Sequence, residues 1–256
     1  WPVDTSDQRI CSTEDQFGNH KCSKTLHKYC GSNFDMFGNP RFINNNNLII
    51  KVYMNNDKRK KNHEKFWKGE FGNDYIGRNK LDSIASNTVL FSEIFRKINS
   101  INSVLELGCN VGNNLKAINS IIPNAKLYGV EINSKAVEIL KSSSKVNVEE
   151  CPILDYSTSI KFDLVLIKAV LIHIDPDDLS AVYKKIYDCS DKYIVIAEYY
   201  SPTPTSVLYR GNKDRLYKRD FAGEFMQLYS NVSLVDYGFK YHKDNMFPQD
   251  DISWFL

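Results

Sequence analysis

Two carboxylates and two glycines hold the clearest chemistry in this sequence. The run Val-Leu-Glu-Leu-Gly-Cys-Asn-Val-Gly at 104–112 ends a strand-type stretch in the carboxylate Glu106. Gly108 and Gly112 then bracket a turn that contains Asn110, and a helical stretch follows. A glycine at 108 lets the backbone pass close to a ligand where any Cβ would clash. The acid at the strand end sits where it can accept from a ligand's ammonium group. Glu131 follows Gly112 by 19 residues and ends the next strand. An acid there can accept both ribose hydroxyls of a nucleoside. A lone strand-end glutamate is usually only solvated, and it is the pairing with the glycine turn that favours a function. The spacing acid-x-Gly-x-x-x-Gly is not the dinucleotide fingerprint, because Asn110 and Asn113 stand where glycines are needed. That argues against a nucleotide-dependent oxidoreductase. A tight βα turn in some other doubly wound fold stays open at this point.

Further candidates lie at the ends of later strands. Lys168 closes the fourth strand and is counted with the residues that bind the same ligand. Asp155, between Leu154 and Tyr156, follows the third strand, where an adenine-contacting acid and its apolar flanks would sit. Asp is also a common turn residue. His173 lies just beyond the fourth strand, where ligands of open α/β sheets bind, and is placed for a general base. A packed, satisfied histidine is the plainer alternative. Tyr199 and Tyr200 end the fifth strand, Tyr199 as a second catalytic candidate and Tyr200 as part of an acceptor pocket. Trp67, Tyr75 and Arg78 precede the sheet on a helix. An unpaired guanidinium does not bury, so Arg78 is read as a bidentate partner for a ligand carboxylate. Arg210, Lys213, Arg215, Lys218 and Arg219, interleaved with Tyr209 and Tyr217, are either a solvated helix face or a site for an anionic acceptor, with Arg210 and Arg215 as its clamps. Cys11, Cys22, Cys30, His20 and His27 match no zinc-knuckle spacing, so no metal is expected.

The elements that position these residues alternate. A mostly helical pattern runs from Asn62 to Phe95. Strands are then expected at Val104–Leu107, Lys126–Ile132, Val146–Cys151, Phe162–Lys168 and Lys192–Glu198. Helices are expected at Asn113–Ser120 and Ser134–Ser142, the latter with Ser134 near its N-cap, and from Asp175-Pro-Asp-Asp onward. Ser233–Tyr241 and Ile252–Leu256 read as a terminal hairpin. The fold class is therefore α/β: a doubly wound, Rossmann-like, mainly parallel seven-stranded sheet with a C-terminal antiparallel hairpin.

Composition sets bounds on this picture. The 256 residues carry a net charge of +2, which gives no basic face for nucleic acid. The longest apolar run, Leu164 to Ile174, is interrupted by Lys168 and His173 and is too short to span a bilayer. The six cysteines show no tight pairing, and a reduced, cytoplasmic setting is the simpler expectation. Oligomeric state is not legible. Residues 1–53 lack a period and contain the Asn44–Asn47 run, whereas Met54 opens a polar lead-in typical of a protein's start. Met54 is thus expected to be the initiator, with 1–53 dispensable and 54–256 the functional domain; a genuine N-terminal extension at 1–53 stays open as the alternative. The chain also stops at Leu256, inside what reads as its last strand.

Three stretches together resemble the pseudaminic acid biosynthesis-associated methylase family. They are Glu-Lys-Phe-Trp-Lys-Gly-Glu-Phe-Gly-Asn-Asp-Tyr-Ile-Gly-Arg-Asn at 64–79, Lys-Ala-Val-Leu-Ile-His-Ile-Asp-Pro at 168–176, and Asp-Arg-Leu-Tyr-Lys-Arg-Asp-Phe-Ala-Gly-Glu-Phe at 214–225. The likeness continues through Val-Asp-Tyr-Gly-Phe-Lys-Tyr-His at 235–242 and Phe-Pro-Gln-Asp-Asp-Ile-Ser-Trp-Phe-Leu at 247–256, and covers about 57–256. The glycine turn, by its spacing, fits the S-adenosylmethionine (SAM) site of a class I methyltransferase. The resemblance implies a SAM-dependent enzyme encoded near genes for nonulosonic acid sugars, in bacteria that glycosylate flagella or surface polysaccharides, and it does not imply the acceptor atom. The function expected here is methyl transfer to an oxygen or nitrogen of a small sugar or sugar-nucleotide acceptor. A SAM-binding protein of the same fold without catalysis, serving as regulator or assembly partner, is the alternative.

Overall fold

A computed structural model of the chain describes residues 64–77 and 83–256. These lie in the second of two units, Tyr53–Leu256, and the expectations for residues 1–53 and for Arg78 fall outside the described residues. Nine strands are described: β1 (Ser103–Leu107), β2 (Lys126–Glu131), β3 (Asn147–Glu150), β4 (Phe162–Lys168), β5 (Ser190–Glu198), β6 (Thr205–Tyr209), β7 (Asn212–Lys218), β8 (Tyr237–Lys240) and β9 (Ile252–Phe255). Seven of them form one sheet in the order β3-β2-β1-β4-β5-β9-β8. The first five are parallel, β9 runs antiparallel to β5, and β8 antiparallel to β9. The expected terminal hairpin is present, while β6 and β7 form a separate antiparallel pair.

Alternation along the strands splits the core into two layers. Val165 and Ile167 of β4 face one layer, and Leu164 and Leu166 the other. α5 (Leu179–Cys189) and α6 (Phe221–Leu228) cover the first layer through Val182, Ile186, Phe221 and Phe225. α2 (Ser83–Phe95), α3 (Asn113–Ile121) and α4 (Ser134–Ser143) cover the second through Phe91, Leu115 and Leu140, and the fully buried Trp254 of β9 completes it. β4, covered on both faces, therefore reads as a continuous apolar run.

Three local expectations are corrected, and one, the cap of α4 beside Ser134, is made specific. The helix after β4 begins at Leu179, not at Asp175, because the acids first make a turn of their own. The Asp175 side chain accepts from the Asp177 amide at 3.1 Å, and its carbonyl accepts from the Asp178 amide at 2.8 Å. The cap of α4 is Asn133, whose side chain accepts from the Ala136 amide at 3.0 Å. The third strand is shortened to Asn147–Glu150. The basic segment is no helix face: it lies mainly on β7. Its turn is set by Arg210 and Gly211, both at positive φ.

Candidate functional site

A cavity of about 480 Å³ opens beyond the carboxyl ends of the parallel strands. That size suits a small-molecule site. The turn after β1 forms its floor. Gly108 and Cys109 donate their amides to the Val130 carbonyl at 2.8 and 3.0 Å, which ties the turn to β2. Gly108 has φ +78°, and a Cβ there would meet Val170 Cγ2 at 2.6 Å. Its glycine requirement thus comes from this backbone and from Val170, rather than from ligand approach alone. Gly112, also left-handed at φ +76°, does not line the cavity. A Cβ there would strike Leu140 of α4 at 2.4 Å, so this glycine serves helix packing.

Glu131 lies on the cavity wall and is buried. One carboxylate oxygen accepts from the Asn110 amide at 2.8 Å, the other from the Asn133 amide at 2.8 Å. Burial pushes its carboxyl above the usual carboxylate range, and the amides of Asn133, Asn110 and Ile132 pull it back. Each oxygen keeps a further lone pair, so the group can accept two more hydrogen bonds. Beside it, Cys151, Pro152, Ile153 and Leu154 form an apolar wall. Asp155 is exposed and does not line the cavity, because the turn after β3 presents its neighbours instead.

Glu106 is one layer behind. It is fully buried, does not line the cavity, and accepts from Asn114 Nδ2 at 2.6 Å. Burial pushes its carboxyl up to about 8, against the pull of Asn114 and Lys168. Asn114 and Lys168 both line the cavity, so Glu106 reaches it through them. Burial also depresses the Lys168 ammonium, while Glu106, Asp250 and Glu198 hold it up.

His173 lines the cavity from a 3-10 turn, Leu171–His173, that sequence reading did not foresee. Two anchors hold that turn. The buried Glu198 carboxylate, at the end of β5, accepts from the amides of Val170, Leu171 and Ile172 at 2.9, 2.9 and 3.4 Å. His173 Nδ1–H donates to the Arg215 carbonyl of β7 at 2.6 Å. That bond fixes the tautomer and leaves the ring's lone pair on Nε2. The imidazole packs between Trp67 at 4.7 Å and Tyr209 at 5.0 Å.

Trp67 and Tyr75 line the cavity from a helical strap, residues 64–68 and α1 (Glu70–Ile76). The strap is fastened by Asn133, whose Nδ2 donates to the Trp67 carbonyl and to Asn73 Oδ1, each at 3.0 Å. Gly72 is what permits this approach, since a Cβ there would lie 1.8 Å from the Trp67 carbonyl oxygen and 2.8 Å from Asn133 Nδ2. Gly72→Ala should therefore loosen the strap and cost about 1–3 kcal/mol of stability, as overpacking usually does. A melting temperature equal to wild type would show that the strap yields without cost.

The remaining candidates stand apart from the cavity lining. Tyr199 is half-buried under the Lys218 ammonium at 5.3 Å, and burial pushes its phenol above the ordinary value, which keeps it in the protonated form. Tyr200 is exposed and bridges to Arg219. Arg210 is exposed at the β6–β7 turn, 5.9 Å from the Tyr209 ring centroid. Arg215 stacks over Phe66 of the strap at 4.8 Å. Arg219 is engaged by Glu224 at 2.7 Å.

Sequence reading missed Asn133, Glu198, Asn114 and the loop Pro248–Asp250, all of which line or brace the site. The signal for Asn133 was its place directly ahead of a helix. Glu198 ends its strand as Glu131 does, but no glycine turn accompanies it to mark it.

Residues 104–192 match the family described as "Methyltransferase domain". The structure is similar to the plantazolicin methyltransferase BpumL in complex with SAH, with a TM-score of 0.55 and 14% identity over 81% of this chain and 98% of that one. The fold is that of the class I methyltransferases. Coclaurine N-methyltransferase bound to N-methylheliamine and SAH gives a TM-score of 0.51 and 17% identity, over 62% of this chain and 52% of that one. The human tRNA N(3)-cytidine methyltransferase METTL6 is 28% identical over 95 residues, 33% of this chain and 34% of that protein. The chain thus spans about a third of the curated relative it matches. No described helix of this methyltransferase fold is long and apolar enough to cross a membrane.

Proposed function

We propose that the chain is a SAM-dependent methyltransferase acting on an oxygen or nitrogen of a sugar-type acceptor. The observation that carries this reading is Glu131, a buried carboxylate on the cavity wall whose two oxygens are each fixed by a backbone amide. SAM fits the residues around it. Glu131 would take the ribose hydroxyls and Pro152, Ile153 and Leu154 the adenine. Gly108, Asn110, Trp67, Tyr75 and Lys168 would enclose the amino-acid end, with Glu106 acting on it from behind Lys168 and Asn114.

Bound SAM supplies a methyl group already activated on a sulfonium. The protein's task is then mostly orientation, which can supply most of the acceleration. The strap covers the site and keeps water from it. His173, with Nδ1–H tied to Arg215, presents Nε2 as the atom that would take the proton of an acceptor hydroxyl. The β6–β7 pair holds Arg215 against the strap and Arg210 at its exposed turn, and guanidinium forks match carboxylate and phosphate. The resemblance to the pseudaminic acid-associated methylases supports a nonulosonic acid or its nucleotide-activated form, both anionic.

Transfer of labelled methyl from SAM to a mixture of nonulosonic acid intermediates tests the reading. SAM binding without transfer to any of them would favour the catalytically inactive alternative. Arg215→Ala should raise the acceptor KM roughly tenfold, the scale of one lost charge-assisted hydrogen bond, and leave SAM affinity unchanged. The carbonyl that holds His173 belongs to the backbone and survives this substitution. An unchanged KM would remove Arg215 from the acceptor site.

A further inference from the structure

The Phe-Pro-Gln-Asp-Asp stretch at 247–251 is given no role above in cofactor binding or in the chemistry assigned to His173, yet three of its residues, Pro248, Gln249 and Asp250, line the cavity. The stretch is held rigidly. Gln249 is buried, donates its Nε2 to Asn87 Oδ1 at 2.9 Å and its amide to the Tyr241 carbonyl at 3.2 Å. Asp251 carries a positive φ of 52°, a turn conformation that Asp tolerates better than most residues. Its carboxylate accepts from the His242 amide at 3.0 Å and pairs with His242 Nδ1 at 2.8 Å. Between these two clamps stands Asp250, exposed and on the cavity wall.

Sheet order says which end of the cavity this is. Ser253 pairs with Glu198 at the carboxyl end of β5, so the residues just before β9 reach the same rim as the glycine turn. They arrive from the β5 side, whereas Glu131 and the apolar wall belong to β2 and to the turn after β3, across the sheet. Lys168, which ends β4, stands between and feels both Glu106 and Asp250. The field of Asp250 also reaches Tyr199.

We infer that Asp250 is an acceptor-binding residue: its carboxylate accepts hydrogen bonds from hydroxyl groups of a polyhydroxylated acceptor at the end of the cavity remote from Glu131. This rests on the methyl-transfer reading and adds the group that grips the acceptor. Lys168 lines the same cavity and feels the field of Asp250. The clamps at Gln249 and Asp251 hold the backbone that carries Asp250, so the position of its Cα is set before the ligand arrives.

The test is calorimetry with two named probes, SAH first and then N-acetylneuraminic acid added to the SAH-loaded protein, on wild type, Asp250→Ala and Asp250→Asn. The expected result is SAH affinity within about twofold of wild type in both variants and sugar affinity weakened roughly tenfold or more in Asp250→Ala, the scale of a lost hydrogen bond to a charged group. Equal sugar affinity in wild type and both variants overturns the inference. So does a wild type that binds SAH and no sugar, since the hydroxyl-rich acceptor class is then wrong. Loss of SAH binding in both variants would place Asp250 at the cofactor or in the fold rather than in the acceptor site, and overturns the inference. A wild type that fails to bind SAH overturns the methyl-transfer reading itself, and this inference with it.

Discussion

Glu131→Ala is expected to weaken SAM binding by about 100-fold or more, the combined scale of two lost hydrogen bonds to a charged acceptor. The carboxylate sits on the cavity wall with its geometry already set by the amides of Asn110 and Asn133. No rotamer search remains for it when a ribose arrives. The substitution also leaves both amides without their acceptor inside a mostly buried turn, which adds a folding cost. Calorimetry therefore has to be run beside a thermal melt. A variant that melts near wild type and no longer binds SAM places the ribose at Glu131. A variant that melts near wild type and binds SAM with undiminished affinity removes the ribose assignment, and with it the observation that supports methyl transfer best. Glu131→Gln separates the two effects further. Its amide oxygen can still accept one backbone N–H, but its NH₂ group must face the other.

The sheet was legible because its signals are local. β4 is a continuous apolar run, β1 ends in a glycine turn, and β2 ends in an acid at nucleoside spacing. Each feature sits within a few residues of the chemistry it positions. The β6–β7 pair was not legible, because a strand rich in Lys, Arg and Asp has no apolar alternation to read and lies outside the main sheet. The same limit applies to the site. Glu131 and His173 could be placed from the ends of their own strands. Glu198 could not, since its role is to accept the amides of residues 170–172, which meet it only across the β4–β5 pairing. Asp155 shows the converse. Its position after β3 was right, yet the turn shows the cavity the side chains of Ile153 and Leu154 instead. Sequence spacing fixes which loop reaches a site, and not which residue of that loop faces it.

The buried acid Glu106 leads to an opposite kind of prediction, a substitution that stabilises. Glu106→Gln should make the free protein more stable than wild type at pH 8, by several kcal/mol. Burial raises the Glu106 carboxyl from the ordinary 4.5 to about 8, while the unfolded chain ionises it near 4.5. The stability held in the neutral carboxyl is therefore complete below 4.5 and is lost progressively as pH rises to about 8, a gap worth at most about 5 kcal/mol. A glutamine does not ionise and keeps that contribution. The local geometry agrees, since Glu106 Oε2 and Asn114 Oδ1 are both buried acceptors without a partner. A proton on Oε2 would supply the donor they lack, and the glutamine NH₂ would do the same permanently. Melting the two proteins at pH 5 and pH 8 measures the effect as a difference that opens with rising pH. Identical curves at both pH values would mean that Glu106 is ionised in the free fold. That outcome bears on function, because a cationic ligand end brought near Glu106 favours the carboxylate and expels the proton. SAM binding near pH 7 should then release about one proton in the wild type and none in Glu106→Gln, read from calorimetry in buffers of different ionisation enthalpy. Equal proton release in both would place the ligand's ammonium out of reach of Glu106, and leave that acid as a support for Asn114 and Lys168.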